Sequence, residues 1–363
     1  MNHRERTLAC LHYQPYDRLP LVHFGFWFET LTKWRAEGHL TDADLADWGA
    51  TAALTKMGFD YEWNPSYFPG TGLDPAFTAE VVEVLPDGAR KVRNGDGVIV
   101  LEKDDAGSIP AEIDHLLKTR DDWETHYLPR LHFTATRIPD TTPFLSAVHD
   151  ELRGLHAGSL FGMIRNWIGV TGAAYIYADD EALFDEMIDT VGDLSYQCVK
   201  TVLASGAQFD FGHFWEDICF KNGPLISPHV FAEKVGPHYR RICELYHQHG
   251  IDIISLDCDG KIDALIPTWI TNGVNTMFPI EVGTWEASIA PWRATYGTEL
   301  RGVGGMNKTV FAFDHAAVDA EIERLRALVD LGGFIPCPDH RIAPDAEYSN
   351  VCYYVERLRA IYG

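Results

Sequence analysis

The stretch "ISLDCDGKIDALIP", Ile254 to Pro267, decides how this chain is read. An apolar run stops at Asp257-Cys258-Asp259, Gly260 marks a turn and a helical pattern begins, so two carboxyls and a thiol stand where a strand ends. The same order recurs outward in both directions. Short β-rich runs occur at "LPLVHFG" (19–25), "MGFDYEW" (57–63), "HAGSLFG" (156–162), "AQFDFGH" (207–213), "IDIISLD" (251–257), "GVNTMFP" (273–279), "ELRGVGG" (299–305) and "GGFIPCP" (332–338). Between most of them lie segments such as "SPHVFAEKVGPHYRRICELYHQH" and "DHAAVDAEIERLRALVDL", whose apolar residues recur at three and four. Alternating strand and helix implies a parallel sheet, and eight units imply an α/β fold of the closed (β/α)₈ TIM barrel type. One region departs from the rhythm. Residues 79–110 carry alternating runs joined by "PDG" and "NGDG", which predicts an antiparallel hairpin insertion after the second strand. No repeat, low-complexity tract or Ser/Gly linker interrupts residues 1–363, which are read as one domain.

Composition narrows the function. The chain has 363 residues, 46% of them hydrophobic, enough for a large core, and no run approaches the roughly 18 apolar residues of a membrane span. The charged opening "MNHRERTLAC" leads into no apolar segment, so the expected location is the cytoplasm. Seven scattered cysteines without a CxxC pair read as reduced thiols. With 53 acidic against 30 basic side chains the formal charge is −23, which repels nucleic-acid phosphates and anionic lipid, so neither nucleic acid nor membrane is an expected partner.

In a (β/α)₈ fold the catalytic groups sit at the C-terminal ends of the strands. There the sequence offers Trp27 and Glu29 after strand one, Trp63 at strand two, Arg165, Asn166 and Trp167 after strand three, and His213, Trp215, Glu216 and Asp217 at strand four. Asp257 and Asp259 follow strand five, Glu281 strand six, Asn307 and Lys308 strand seven, and Cys337, Asp339 and His340 strand eight. Glu216-Asp217 is expected to be a carboxylate pair for general acid work, with loop-fixing by Asp217 as the plainer role. Arg165 either clamps a substrate carboxylate or pairs with Glu216. Trp27, Trp63, Trp167 and Trp215 suit a flat apolar substrate wall, or packing beneath the loops.

The segments "RERTLACLHYQPYDRLPL", "EDICFKNGPLISPHVF", "LDCDGKIDALIPTWITNGVNTMFPIE" and "GGFIPCPDHRIAPD" make the chain resemble the uroporphyrinogen decarboxylase superfamily, in order and over almost the whole length. The resemblance implies a (β/α)₈ barrel and one of two chemistries. One is cofactor-free decarboxylation; the other is metal-dependent methyl transfer with a corrinoid carried by a partner protein. Decarboxylases of this kind place arginines after the first strand and a tyrosine in the third loop; here those places read "HFGFWFETLTKWRAEG" and Asn166, while the late histidine matches His340. The methyltransferase branch implies a His-x-Cys pair after strand five and a Cys after strand eight, which fall on Asp257, Asp259 and Cys337. With Glu281, and His340 beside them, such a set suits a hard divalent ion or a loosely held zinc. The expected activity is a methyltransferase moving a methyl group between a small O-, N- or S-methylated substrate and a corrinoid protein; a homodimer stays open. The alternative is a cofactor-free decarboxylase using Glu216, Asp217 and His340.

Overall fold

Short apolar runs and amphipathic segments form strands and helices in the expected alternation in the computed structural model, which describes residues 1–103 and 110–363. The strands of the main fold are β1 (Val22–His23), β2 (Tyr61–Glu62), β3 (Gly154–His156), β4 (Phe211–Trp215), β5 (Ile253–Asp257), β6 (Thr276–Phe278), β7 (Arg301–Met306) and β8 (Phe334–Pro338). Strands β3 to β8 make one six-stranded parallel sheet in sequential order, and β1 and β2 form a separate parallel pair. Single parallel bridges stand at both joints, Tyr67 with Leu155 and Phe26 with Ile342. Among the described residues the hydrogen-bonded ladders therefore do not run unbroken around a ring. The reason is local: β1 and β2 are two residues long, and Gly25 and Pro65 follow them closely.

Two cores result from the period-two alternation of the strands. Outward-facing residues such as Ile254, Leu256 and Met277 pack under the helices. Inward-facing residues, Val22, Phe211, Ile253, Phe278, Val303, Ile335 and Cys337, form a second cluster. The first helix, His3–Leu11, closes one end of that cluster with Cys10 and Leu11. The long helices start on side-chain caps, Asp180 accepting from Leu183 N at 2.9 Å and Asp314 from Ala317 N at 2.9 Å, which satisfies N–H groups that lack a partner within the helix. Gly304 (φ +128°) is required where β7 passes the β6 loop, because a Cβ there would lie 1.5 Å from the Pro279 carbonyl oxygen. Among the described residues no helix is long and apolar enough to cross a membrane.

Two boundaries differ from expectation. The third strand ends at His156, where the predicted run begins, because Ala157–Leu160 is the loop that leads to the helix starting at Gly162. The insertion is a four-stranded antiparallel sheet, Glu80–Val84, Arg90–Arg93, Val98–Glu102 and Ala111–His115, so it is larger than a hairpin and runs past residue 110. The last strand, "AEIDH", is mostly polar and exposed, which hid it. Residues 104–109 of the predicted insertion lie outside the described residues.

Candidate active site

The sheet brings most of the predicted groups to one edge, the C-terminal ends of its strands. Asp257 is the last residue of β5, paired in register with Trp215 at the end of β4. Asp259 follows, and its Oδ2 lies 3.2 Å from Nε2 of His340, two residues beyond β8. His340 is held by rings: Trp27 stacks on it at 5.5 Å and Phe24 meets it edge-on at 5.4 Å. The Arg341 guanidinium lies 6.0 Å over the Trp27 ring, so Trp27 supports this corner as well as lining it. Glu281, after β6, accepts from Gly260 N at 2.6 Å and thereby fixes the turn behind Asp259. Asp339 is buried and accepts from Val282 N, Gly283 N and Lys308 N at 2.8, 2.8 and 3.1 Å, tying the loops after β6 and β7 together.

The electrostatics of this edge are those of crowded carboxyls. Burial, then Asp259, Asp217 and Glu281, raise the Asp257 carboxyl well above its ordinary range, opposed by Arg341. Burial and Asp259 raise Asp217, and the same two causes raise Glu281. Burial raises Glu62, and Arg341 acts against it. Lys308 is lowered by burial, with Asp339, Glu281 and Asp259 pulling it back.

Three expectations are corrected. Glu216 is fully buried and faces away from the other carboxyls: Oε1 accepts from Leu160 N at 2.9 Å and from the Tyr239 hydroxyl, and Oε2 from Phe161 N, Gly162 N and Ser159 Oγ at 3.0, 2.7 and 3.1 Å. It binds the start of the helix at Gly162 as a structural anchor, and no Glu216-Asp217 acid pair exists. Asp217, turned by a left-handed backbone (φ +50°), is the member that reaches the edge; Arg165 donates to its carbonyl oxygen at 2.6 Å and to Oδ2 at 3.4 Å, so Arg165 does not pair with Glu216. Trp63 is no wall of the site: it is 1% exposed in the inner cluster, stacked on Phe211 at 4.8 Å, with its indole N–H donated to Ser255 Oγ at 3.2 Å. Trp167 packs likewise in the outer core against Tyr127 and Trp123.

The expected metal set is not drawn together in this arrangement. Among the described residues no group of three or more His, Cys, Asp or Glu side chains is arranged to hold a metal ion. Cys337 is completely buried in the inner cluster, where burial and the charges of Glu62 and Asp339 push its thiol well above the ordinary range.

The remaining predicted residues lie at or just below the edge. Trp215 is half-buried at the end of β4; Asn166 is half-buried beside Arg165; Glu29 lies in the first turn of the helix Phe28–Ala36, with a buried Oε2 that has no hydrogen-bond partner. His213, 4% exposed, faces inward one step below Trp215, among the rings of His156, Phe211 and Phe278, and its Nδ1 has no partner. Four residues of the site and its supports, Glu62, Arg341, His156 and Tyr239, are not among those the sequence singles out. Arg341 was visible as the residue after His340 in "CPDHR"; the others carry no signal apart from their position in the fold.

No family model matches the chain, and no curated protein does. Among solved structures it is similar to a methyltransferase from Methanosarcina mazei, at 15% identity over 100% of both chains with a TM-score of 0.63. A B12-independent methionine synthase from Shewanella sp. W3-18-1 matches more loosely, at 11% identity over 94% of this chain and 96% of that one, with a TM-score of 0.45. The first likeness is one of fold over the full length.

Proposed function

We propose that the chain is a methyltransferase of the uroporphyrinogen decarboxylase-like class with a (β/α)₈ barrel architecture, a reading the isolated bridges at Tyr67 and Phe26 support, and that it moves a methyl group between a small methylated substrate and a corrinoid protein. The observation that carries this reading is the charge of the strand ends. Asp217, Asp257, Asp259 and Glu281 crowd one edge, an arrangement that disfavours a polycarboxylate, and of the guanidinium groups beside them Arg165 is bound to Asp217 and Arg341 lies over Trp27. The Methanosarcina mazei neighbour, itself a methyltransferase, supports the same class. The decarboxylase alternative is weakened by Glu216, since one of its three acid/base groups is bound up in the helix start.

On this reading Trp215 and Phe24 bound the substrate, and the Asp259–His340 pair, braced by Trp27, holds or moves a proton at Nε2 of His340. The docked corrinoid supplies the cobalt that exchanges the methyl group. The test is turnover of candidate methylated substrates with a corrinoid protein, followed by cobalt absorbance and by labelled product. The expected result is a corrinoid-dependent spectral change with no carbon dioxide; labelled carbon dioxide released without corrinoid overturns the proposal.

A further inference from the structure

We infer that Glu281 is a positioning residue for the Asp259–His340 pair, and that it acts through a closed circuit of contacts among the loops after β5, β6 and β8. The inference rests on the reading above, in which that pair handles the proton.

The circuit runs from group to group around three loops. His340, in the loop after β8, brings Nε2 to 3.2 Å from Oδ2 of Asp259, in the loop after β5. Gly260, the next residue of that loop, donates its N–H to Oε2 of Glu281, in the loop after β6, at 2.6 Å. Val282 and Gly283, which follow Glu281, donate theirs to Asp339 Oδ2 at 2.8 Å each, and Asp339 is the neighbour of His340 in the chain. The contacts thus return to the loop they started from. Each of the three loops touches the other two, so none shifts alone without straining a contact on each side.

Neither member of the pair is fixed by a strand of its own. Asp259 lies two residues past β5 and His340 two past β8, and their side chains are 29% and 19% exposed. From 3.2 Å, a displacement of about one ångström takes a polar contact out of range. His340 is braced by the rings of Trp27 and Phe24. On the other side, Cys258 N donates to the Phe278 carbonyl and Lys261 N to the Phe220 carbonyl, at 3.0 Å each, so backbone ties hold the two ends of the Asp259-Gly260 turn. Between those ends, Glu281 is the side chain that holds the middle.

The backbone that presents Glu281 supplies a second, independent observation. Ile280 adopts φ +57°, a left-handed conformation that a β-branched residue rarely takes. It is 2% exposed, and β7 makes room for it with glycine: a Cβ on Gly302 would lie 2.7 Å from Ile280 Cδ1. Gly305 N donates to the Pro279 carbonyl at 3.0 Å and holds the same bend. Strain of this kind persists only where the surroundings over-determine it, and it collects beside functional groups. With an extended backbone at 280 the chain would leave β6 along another path, and Glu281 would not meet Gly260.

The test is a double-mutant cycle on the intact chain, Asp259→Ala against His340→Ala, read as the unfolding constant from urea denaturation. The pair is expected to be coupled by at least about threefold in that constant. The cycle is then repeated in two backgrounds: Glu281→Ala removes the acceptor of the Gly260 N–H, and Glu281→Gln keeps an acceptor while discarding the charge. The coupling should disappear in the first background and persist in the second. A residue that stabilised only its own loop would lower every midpoint and leave the coupling where it was. If Glu281→Ala does not fold, Glu281→Asp, whose carboxylate is shorter by one methylene, takes its place. Coupling that survives Glu281→Ala or Glu281→Asp, coupling that is lost equally with Glu281→Gln, or no coupling in the unaltered chain overturns the inference. Because the cycle needs neither substrate nor corrinoid, the two readings fail separately. Coupling governed by Glu281 without corrinoid-linked turnover sinks methyl transfer, and corrinoid-linked turnover with coupling indifferent to Glu281 sinks only this inference.

Discussion

Replacing Glu216 by Gln tests whether that carboxylate is an anchor or an acid. The two oxygens accept five hydrogen bonds, two at Oε1 and three at Oε2, from Leu160, Tyr239, Phe161, Gly162 and Ser159. A Gln amide places an NH₂ where one oxygen was, so in the better of its two orientations Leu160 N loses its acceptor and faces another donor, while the Tyr239 hydroxyl turns to accept from the amide. An orphaned buried donor costs about 1–3 kcal/mol, which gives a loss of about 2 kcal/mol for the variant. Urea unfolding followed by far-UV circular dichroism should show a lower midpoint with an unchanged slope. Turnover per folded molecule, with its pH profile, should stay as in the unaltered chain. A stability loss below about 1 kcal/mol, together with loss of the acidic limb of the pH profile, would refute the anchor and return Glu216 to the chemistry.

Three further outcomes are expected from the structure. Burial lowers His156 to about 4 and His23 to about 3, so both rings are neutral in the fold while the unfolded chain takes up the proton near pH 6.5; their stability is fully present above that range and is lost as pH falls, on the order of 3 kcal/mol for His156, and a His156→Asn variant should show a correspondingly flatter decline in urea midpoint between neutral pH and about pH 4. Gly162→Ala should cost at least about 3 kcal/mol or abolish soluble protein, because its Cβ would lie 1.8 Å from the Glu216 carbonyl oxygen; an unchanged melting temperature contradicts that geometry. Added zinc should not bind stoichiometrically in equilibrium dialysis, whereas one zinc per chain that disappears in Cys337→Ser would restore the thiolate site that the burial of Cys337 argues against.

The strand-to-helix rhythm was legible because its signal is periodic and repeated. Ile253–Asp257 and Phe334–Pro338 fall where their apolar runs predict them. Short-range detail was not legible in the same way. The strand Gly154–His156 is three residues long and precedes the predicted run, and the exposed strand Ala111–His115 has no apolar face. At the site, position relative to a strand end identified Asp257, Asp259, Glu281 and His340 as neighbours, but side-chain direction was not readable. Glu216 and Asp217 are adjacent in sequence and go opposite ways, because Asp217 adopts φ +50° and the helix start at Gly162 presents three N–H groups to Glu216. Trp63 was misplaced for a related reason: one residue along a short strand separates the rim from the inner core.

The closure of the inner cluster by His3–Leu11 bears on how the chain acquires its shape during synthesis. The Cys10 thiol donates to the Phe334 carbonyl oxygen at 3.5 Å, Gly333 N donates to the Cys10 carbonyl, Leu19 N reaches the Tyr362 carbonyl, and Phe26 bridges Ile342. This early segment thus waits for one made more than three hundred residues later, with the loop entropy of that separation to overcome before these contacts form. Until β8 emerges, Leu11, Val22 and Phe24 face water on a growing sheet with an open edge. A nascent chain stalled before Phe334 is therefore expected to be a chaperone client, and a permuted chain that joins the eighth strand directly to the first helix should mature faster than the natural order.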